Sequence, residues 1–218
     1  MMIAPDPYPT FTRNERIADA VVHCIGIVFA IIATVTLIVW AWGETSTDMV
    51  VGLAVYGAAL IGSFIASACY HFTPWEGPRP LLRRIDHAAI YLKIAGTYTP
   101  VVMLIGSAFA YGILALVWLL ATVGIVAKLF FFGRPGVWGI GLYLGLGWLS
   151  VALMSSLVPL VSTSALVLMV TGGVVYSLGA VLFSLEGLRF QNAIWHGLVL
   201  TASICFSIAI ALGVLPLV

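Results

Sequence analysis

The sequence predicts an all-α integral membrane protein, a bundle of seven transmembrane helices. Three observations carry this expectation. The 218-residue chain is 62% hydrophobic and only 8% charged, whereas soluble domains carry about a quarter charged residues. Its mean hydropathy is +1.16. Its apolar residues form long windows joined by short spacers, each window near the length of about 20 residues that a helix needs to cross a bilayer core. A membrane barrel would instead need alternating segments of about ten residues, and the chain has none.

The seven windows run near 24–42, 49–71, 87–105, 110–128, 138–158, 164–185 and 194–215. The first follows Arg13 and Arg16 and is longer than the apolar stretch of a usual signal peptide, so it reads as a retained helix after a short polar segment, 1–20. The third carries Lys93, and the seventh opens beside His196. Pro100 and Pro159 fall at or near window ends. Gly141, Gly145 and Gly173 suit close approach of helices. The spacers make neighbouring windows hairpins, so residues 1–218 form a single domain.

Basic residues orient this bundle. Arg13 and Arg16 precede the first window. Arg79, Arg83 and Arg84 separate the second from the third, Lys128 and Arg134 the fourth from the fifth, and Arg189 the sixth from the seventh. The remaining connections hold neither Lys nor Arg. By the positive-inside rule the N-terminus lies in the cytoplasm and the C-terminus outside. Cys24, Cys69 and Cys205 have no paired spacing and make no disulfide framework. With no GxGxxG, Walker loop or basic patch, the chain points to membrane lipids as partners, and to neither nucleic acid nor a soluble nucleotide cofactor.

In that orientation the polar groups gather at one leaflet. His23 opens the first window, His71 closes the second, His87 opens the third beside Asp86, and Asn192 and His196 open the seventh. Ser67 and His71 are four residues apart and share a helix face, as do Asn192 and His196. Asp86 and Lys93 also share a face, about 10 Å apart along the axis. Ionisable groups inside spans are costly, face the bundle interior and mark function. Histidines on the second and seventh spans, with a carboxylate on the third, suggest a metal site. For His23 and His87, at helix starts, a structural or solvated role is expected. Lys93 is a candidate to neutralise Asp86.

Several blocks now resemble a known family. Ser67-x-x-x-His71, then Arg84-x-Asp86-His87-Ala88-x-Ile90-Tyr91-Leu92, then Ile94-Ala95-Gly96-Thr97-Tyr98-Thr99-Pro100 closely resemble the hemolysin III branch of the progestin and adipoQ receptor superfamily. Asn14-Glu15-x-x-Ala18 through His23 is similar to its N-terminal signature, and Ala193-Ile194-Trp195-His196-x-x-Val199-Leu200 to its last-span signature. The resemblance implies seven helices and a zinc ion near the cytoplasmic face. Carried over, His71 and His196 are zinc ligands, Asp86 orients or holds a bound water, and Ser67 supports the site. Asn192 stands where the family has the first histidine of an HxxxH motif, and Phe206 where a further histidine is common. An amide oxygen is a poor zinc ligand, so the site is expected to bind weakly, to recruit His87 or His23, or to be vestigial.

The resemblance implies a multi-pass protein of the bacterial inner membrane, acting in membrane homeostasis. The alternative is a zinc-dependent intramembrane hydrolase of lipid amides, ceramidase-like, in which Asp86 and Ser67 serve the reaction. A lytic pore, which the family name suggests, needs a continuous polar lining, and polar residues near one leaflet do not supply one.

Overall fold

The computed structural model describes residues 11–131, 137–185 and 187–214, which are helical with no strand among them. Its elements are α1 (Arg13–Ala41), α2 (Thr47–Phe72), α3 (Arg79–Ile105), α4 (Ala108–Phe130), α5 (Val137–Trp148), a 3-10 turn (Leu149–Leu153), α6 (Met154–Leu157), α7 (Thr163–Ser184) and α8 (Gln191–Val214). Six of them, α1 to α4 with α7 and α8, are long and apolar enough to cross a membrane. The first window differs most from expectation. α1 begins eleven positions earlier than 24, because Thr12 caps it and Glu15 returns the bond to the cap, a complete capping box. Residues expected in a polar leader thereby become two more helical turns.

Side chains also close three other helix starts. Ser46, Ser107 and Ser162 accept from backbone N–H groups of α2, α4 and α7. Gly106, at φ 67°, ends α3 in the left-handed region, which glycine adopts without a Cβ penalty. Pro100 lies inside α3 rather than at a span end. Arg134, one of the orienting residues, lies outside the described residues.

The helices form a closed ring. α1 packs on α2 and α8, α2 on α3, α3 on α4, and α7 on α8, while α5 touches α3, α4 and α7. α3 also reaches α8 across the interior and is the most buried of the six long helices. On α1 the inward stripe is Asp19, His23, Gly26, Ala30, Thr34, Leu37 and Ala41, a spacing of three and four residues. Its outer face carries Ile25, Val28, Ile32, Val35 and Val39, all exposed, as a lipid-facing surface requires.

Close packing falls on other glycines than Gly141, Gly145 and Gly173, where an added Cβ would meet only open space. Among the tight positions are Gly26, where a Cβ would stand 2.5 Å from the Phe64 ring, and Gly96, where it would stand 2.6 Å from Ala59. These set α1 and α3 against α2, and so set the distances in the polar cluster described below.

The window 138–158 is three helical pieces rather than one. The break at Trp148 frees carbonyls, which cost several kcal/mol each if left unpaired in hydrocarbon, on the order of a lost hydrogen bond. Tyr98 of α3 satisfies them, its hydroxyl lying 2.9 Å from both Leu146 O and Gly147 O. Ser150 donates to Gly147 O as well.

Buried polar groups reach deeper than one leaflet. Beyond the histidines stand Lys93, the Tyr176–Ser203 pair at 3.2 Å and the Tyr56–Ser207 pair at 2.6 Å. Ser203 and Ser207 lie about 10 and 16 Å along α8 from His196 at 1.5 Å per residue. The sequence reading placed polar groups at one end only. It overlooked these because serine and tyrosine do not interrupt an apolar window.

Candidate metal centre

Three helices each contribute a polar residue followed four positions later by histidine or its partner: Asp19 and His23 on α1, Ser67 and His71 on α2, Asn192 and His196 on α8. That spacing puts both members of each pair on one face. Because α1 lies between α2 and α8 in the ring, the three faces meet at one end of the interior.

Asp19 is the centre of the meeting. Its carboxylate lies 2.7 Å from His196 Nδ1, 3.4 Å from His23 Nδ1 and 3.7 Å from His71 Nδ1. The His196 and His23 rings are 4.2 Å apart between centroids, His196 and His71 4.7 Å, and His23 and His71 5.6 Å. All four residues are buried, His23 at 2% exposure.

The hydrogen bonds fix which ring nitrogen faces inward. His23 Nδ1 lies 2.9 Å from the Asp19 carbonyl oxygen. A carbonyl only accepts, so this nitrogen carries the proton. His196 Nδ1 likewise donates to the Asp19 carboxylate. In the neutral form of each ring the lone pair is therefore on Nε2. Both Nε2 atoms converge on one hydroxyl, Ser67 Oγ, at 3.1 Å from His23 and 3.2 Å from His196. A hydroxyl has one proton. It can serve one lone pair and must leave the other facing an oxygen.

That arrangement fits a metal ion. Ligating histidines characteristically donate the other ring N–H to a carboxylate or backbone carbonyl, which fixes the tautomer and the ring. His196 does the first and His23 the second. Asp19, His23 and His196 offer ligand atoms that all lie within 4.8 Å of one another, and form a buried group able to hold a metal ion.

The residues named from sequence fall around this group. His71 joins the cluster, and Asn192 Nδ2 lies 3.3 Å from His71 Nδ1, so the amide faces the histidine. Ser67 lies at the centre, between two ring nitrogens. The Asp86 carboxylate faces Ser67 from α3. His87 turns elsewhere, with Nδ1 2.8 Å from Arg83 O and 3.6 Å from Asp86. Lys93 makes no ion pair with Asp86 among the described residues. Its Nζ has no hydrogen-bond partner and lies over the rings of Phe64 at 4.6 Å and Tyr176 at 5.4 Å. The sequence reading did not name Asp19 and gave His23, like His87, only as a substitute for the ligand that Asn192 does not supply. The available signal was the capping box at Thr12–Glu15, which moves both residues into the helix, and the spacing they share with the other two pairs.

Comparison with known proteins agrees with the blocks quoted above. The chain matches the Haemolysin-III related family model over residues 11–207. It is 35% identical to the Hemolysin-3 homolog of Bacillus subtilis (strain 168) over 196 residues, 88% of this chain and 91% of that one. It is 34% identical to Hemolysin-3 of Bacillus cereus over 204 residues, 93% of each chain. It is 30% identical to the Monocyte to macrophage differentiation factor of Homo sapiens over 159 residues, 68% of this chain and 64% of that one. A multi-helix chain with a buried Asp–His group, matched along nearly its whole length, this protein belongs to the haemolysin III family.

Proposed function

We propose that the protein crosses the bacterial inner membrane seven times, N-terminus in the cytoplasm, and acts in membrane homeostasis through a zinc ion held at the cytoplasmic end of the bundle. The α5, 3-10 and α6 pieces together make the fifth of the seven crossings, with Tyr98 covering the carbonyls freed at the break. The observation that carries the zinc reading is the convergence of His23 Nε2 and His196 Nε2 with their Nδ1 atoms held by Asp19. Imidazole and carboxylate are the donors zinc accepts. His23 and His196 would hold the ion, Asp19 would orient His196 and balance charge, and His71 stands beside them as a further donor. Asn192, facing His71, leaves the family's usual ligand position without an imidazole. Zinc there would polarise a bound oxygen and lower the pKa of bound water toward about 7.

The test joins the metal to the role. Deleting the gene should change membrane fluidity and energisation, and wild-type protein should restore both while His196→Ala does not. Unchanged membranes in the deletion strain would contradict the homeostasis reading.

One observation favours a second reading, hydrolysis of a lipid amide. The Asp86 carboxylate faces Ser67 at the edge of the cluster, where a general base for water would stand. Turnover of a ceramide-like amide by purified protein, abolished in His196→Ala and Asp86→Asn, would support it. Equal turnover in His196→Ala would rule it out.

A further inference from the structure

Glu15 spans two chain segments with its two carboxylate oxygens. Oε2 accepts from Thr12 N–H at 2.9 Å and Thr12 Oγ1–H at 2.7 Å, closing the cap of α1. Oε1 accepts from Phe190 N–H at 3.0 Å, in the turn that leads into α8. Phe190 is the one non-glycine residue with positive φ, at 60°, among the described residues. Bulky side chains rarely adopt that conformation, and such strain persists only where surroundings hold it. The Glu15 carboxylate is what holds it here.

The position of this contact matters. A narrow cleft runs from the end of the bundle toward the cluster, lined by Phe11, Glu15, Asp19, His71, Phe190 and Asn192. It offers about 10 Å³, enough for about one water molecule. Glu15 and Phe190 both line it, one from α1 and one from the turn before α8. Asp19 lies one helical turn beyond Glu15, and Asn192 and His196 follow Phe190 on α8. The contact therefore pins α1 to α8 at the mouth of the same cleft whose floor is Asp19.

We propose that Glu15 is a latch: bonded to Phe190 N–H it closes the polar end of the bundle, and releasing Phe190 from its strained conformation admits ions to the Asp19–His23–His196 group. The metal side of this inference rests on the zinc reading above. The access side does not.

The carboxylate makes the test selective. Thr12 presents two donors and Phe190 one, so the single acceptor oxygen of Glu15→Gln stays with Thr12 and its NH2 is turned against Phe190 N–H, which opens the latch. Thr12→Ala removes the cap partner and leaves the latch. Zinc-loaded protein in detergent is challenged with excess EDTA. Glu15→Gln should release zinc about tenfold faster than wild type, the scale of one hydrogen bond to a charged acceptor, and Thr12→Ala should release it at the wild-type rate. Equal rates for Glu15→Gln and wild type would overturn the latch. So would Thr12→Ala releasing zinc as fast as Glu15→Gln, which would assign the effect to helix capping. A metal-free arm uses Ala193→Cys, in the cleft wall, after the native cysteines are replaced by alanine. A small cationic thiol reagent should label it about tenfold faster when Glu15→Gln is added, on the same hydrogen-bond scale. Unchanged labelling overturns the latch. A wild-type protein that binds no zinc removes the metal reading alone, and the labelling rates then decide the latch.

Discussion

Ser67 Oγ stands 3.1 Å from His23 Nε2 and 3.2 Å from His196 Nε2, so one hydroxyl proton faces two ring lone pairs. Without metal, the Ser67 hydrogen bond is worth about 1 kcal/mol. Ser67→Ala should destabilise EDTA-treated protein by about that amount, seen as a lower melting temperature, and leave zinc stoichiometry unchanged. Ser67→Cys should tighten zinc binding, because a thiolate adds a third ligand at the point where the nitrogens converge. Thermal unfolding with and without EDTA, and competition against a chromophoric chelator, check both.

Asp19 acts through His196, whose Nδ1 it holds at 2.7 Å. Asp19→Asn keeps an acceptor but loses the charge. Zinc affinity should fall about 10- to 100-fold, the usual cost of altering such a partner. Chelator competition measures it, and an unchanged affinity would place Asp19 outside the site.

Asn192 faces His71 Nδ1 at 3.3 Å, where a second imidazole would point into the cluster. Asn192→His should raise zinc affinity while stoichiometry stays at one per chain. A second zinc per chain would show that His71 and residue 192 form a separate site.

Lys93 Nζ is buried between Phe64 and Tyr176 with no hydrogen-bond partner among the described residues. Two aromatic faces contribute about 0.5–2 kcal/mol each, less than the several kcal/mol needed to desolvate the charge. Lys93→Met, of similar length, should stabilise the metal-free protein by about 1 kcal/mol or more. A lower melting temperature would mean that the ammonium has an anionic partner.

Tyr98 donates to Leu146 O and Gly147 O at the break between α5 and the 3-10 turn. Tyr98→Phe leaves Gly147 O to Ser150 alone and takes the Tyr98 donor from Leu146 O, and should cost about 1–3 kcal/mol. Thermal unfolding in a fixed detergent checks the direction.

The six long helices were legible in the sequence because twenty apolar residues leave few alternatives in lipid. The fifth window was not, since its composition is apolar throughout and the break at Trp148 depends on a hydroxyl from α3. His71, His196 and Ser67 could be found by spacing and family resemblance. Asp19 was hidden by counting the helix from its first apolar run rather than from the cap at Thr12. The Lys93–Asp86 pairing suggested by a shared face failed for a different reason: Lys93 lies instead over rings on α2 and α7, and one helix's spacing does not reveal its neighbours.

The most direct measurement is zinc content by elemental mass spectrometry of the purified, detergent-solubilised protein, beside His23→Ala, His71→Ala and His196→Ala. The account predicts near one zinc per chain, lost in His23→Ala and His196→Ala. No zinc in the wild-type protein, or zinc retained in His23→Ala and lost in His71→Ala, would contradict the Asp19–His23–His196 site.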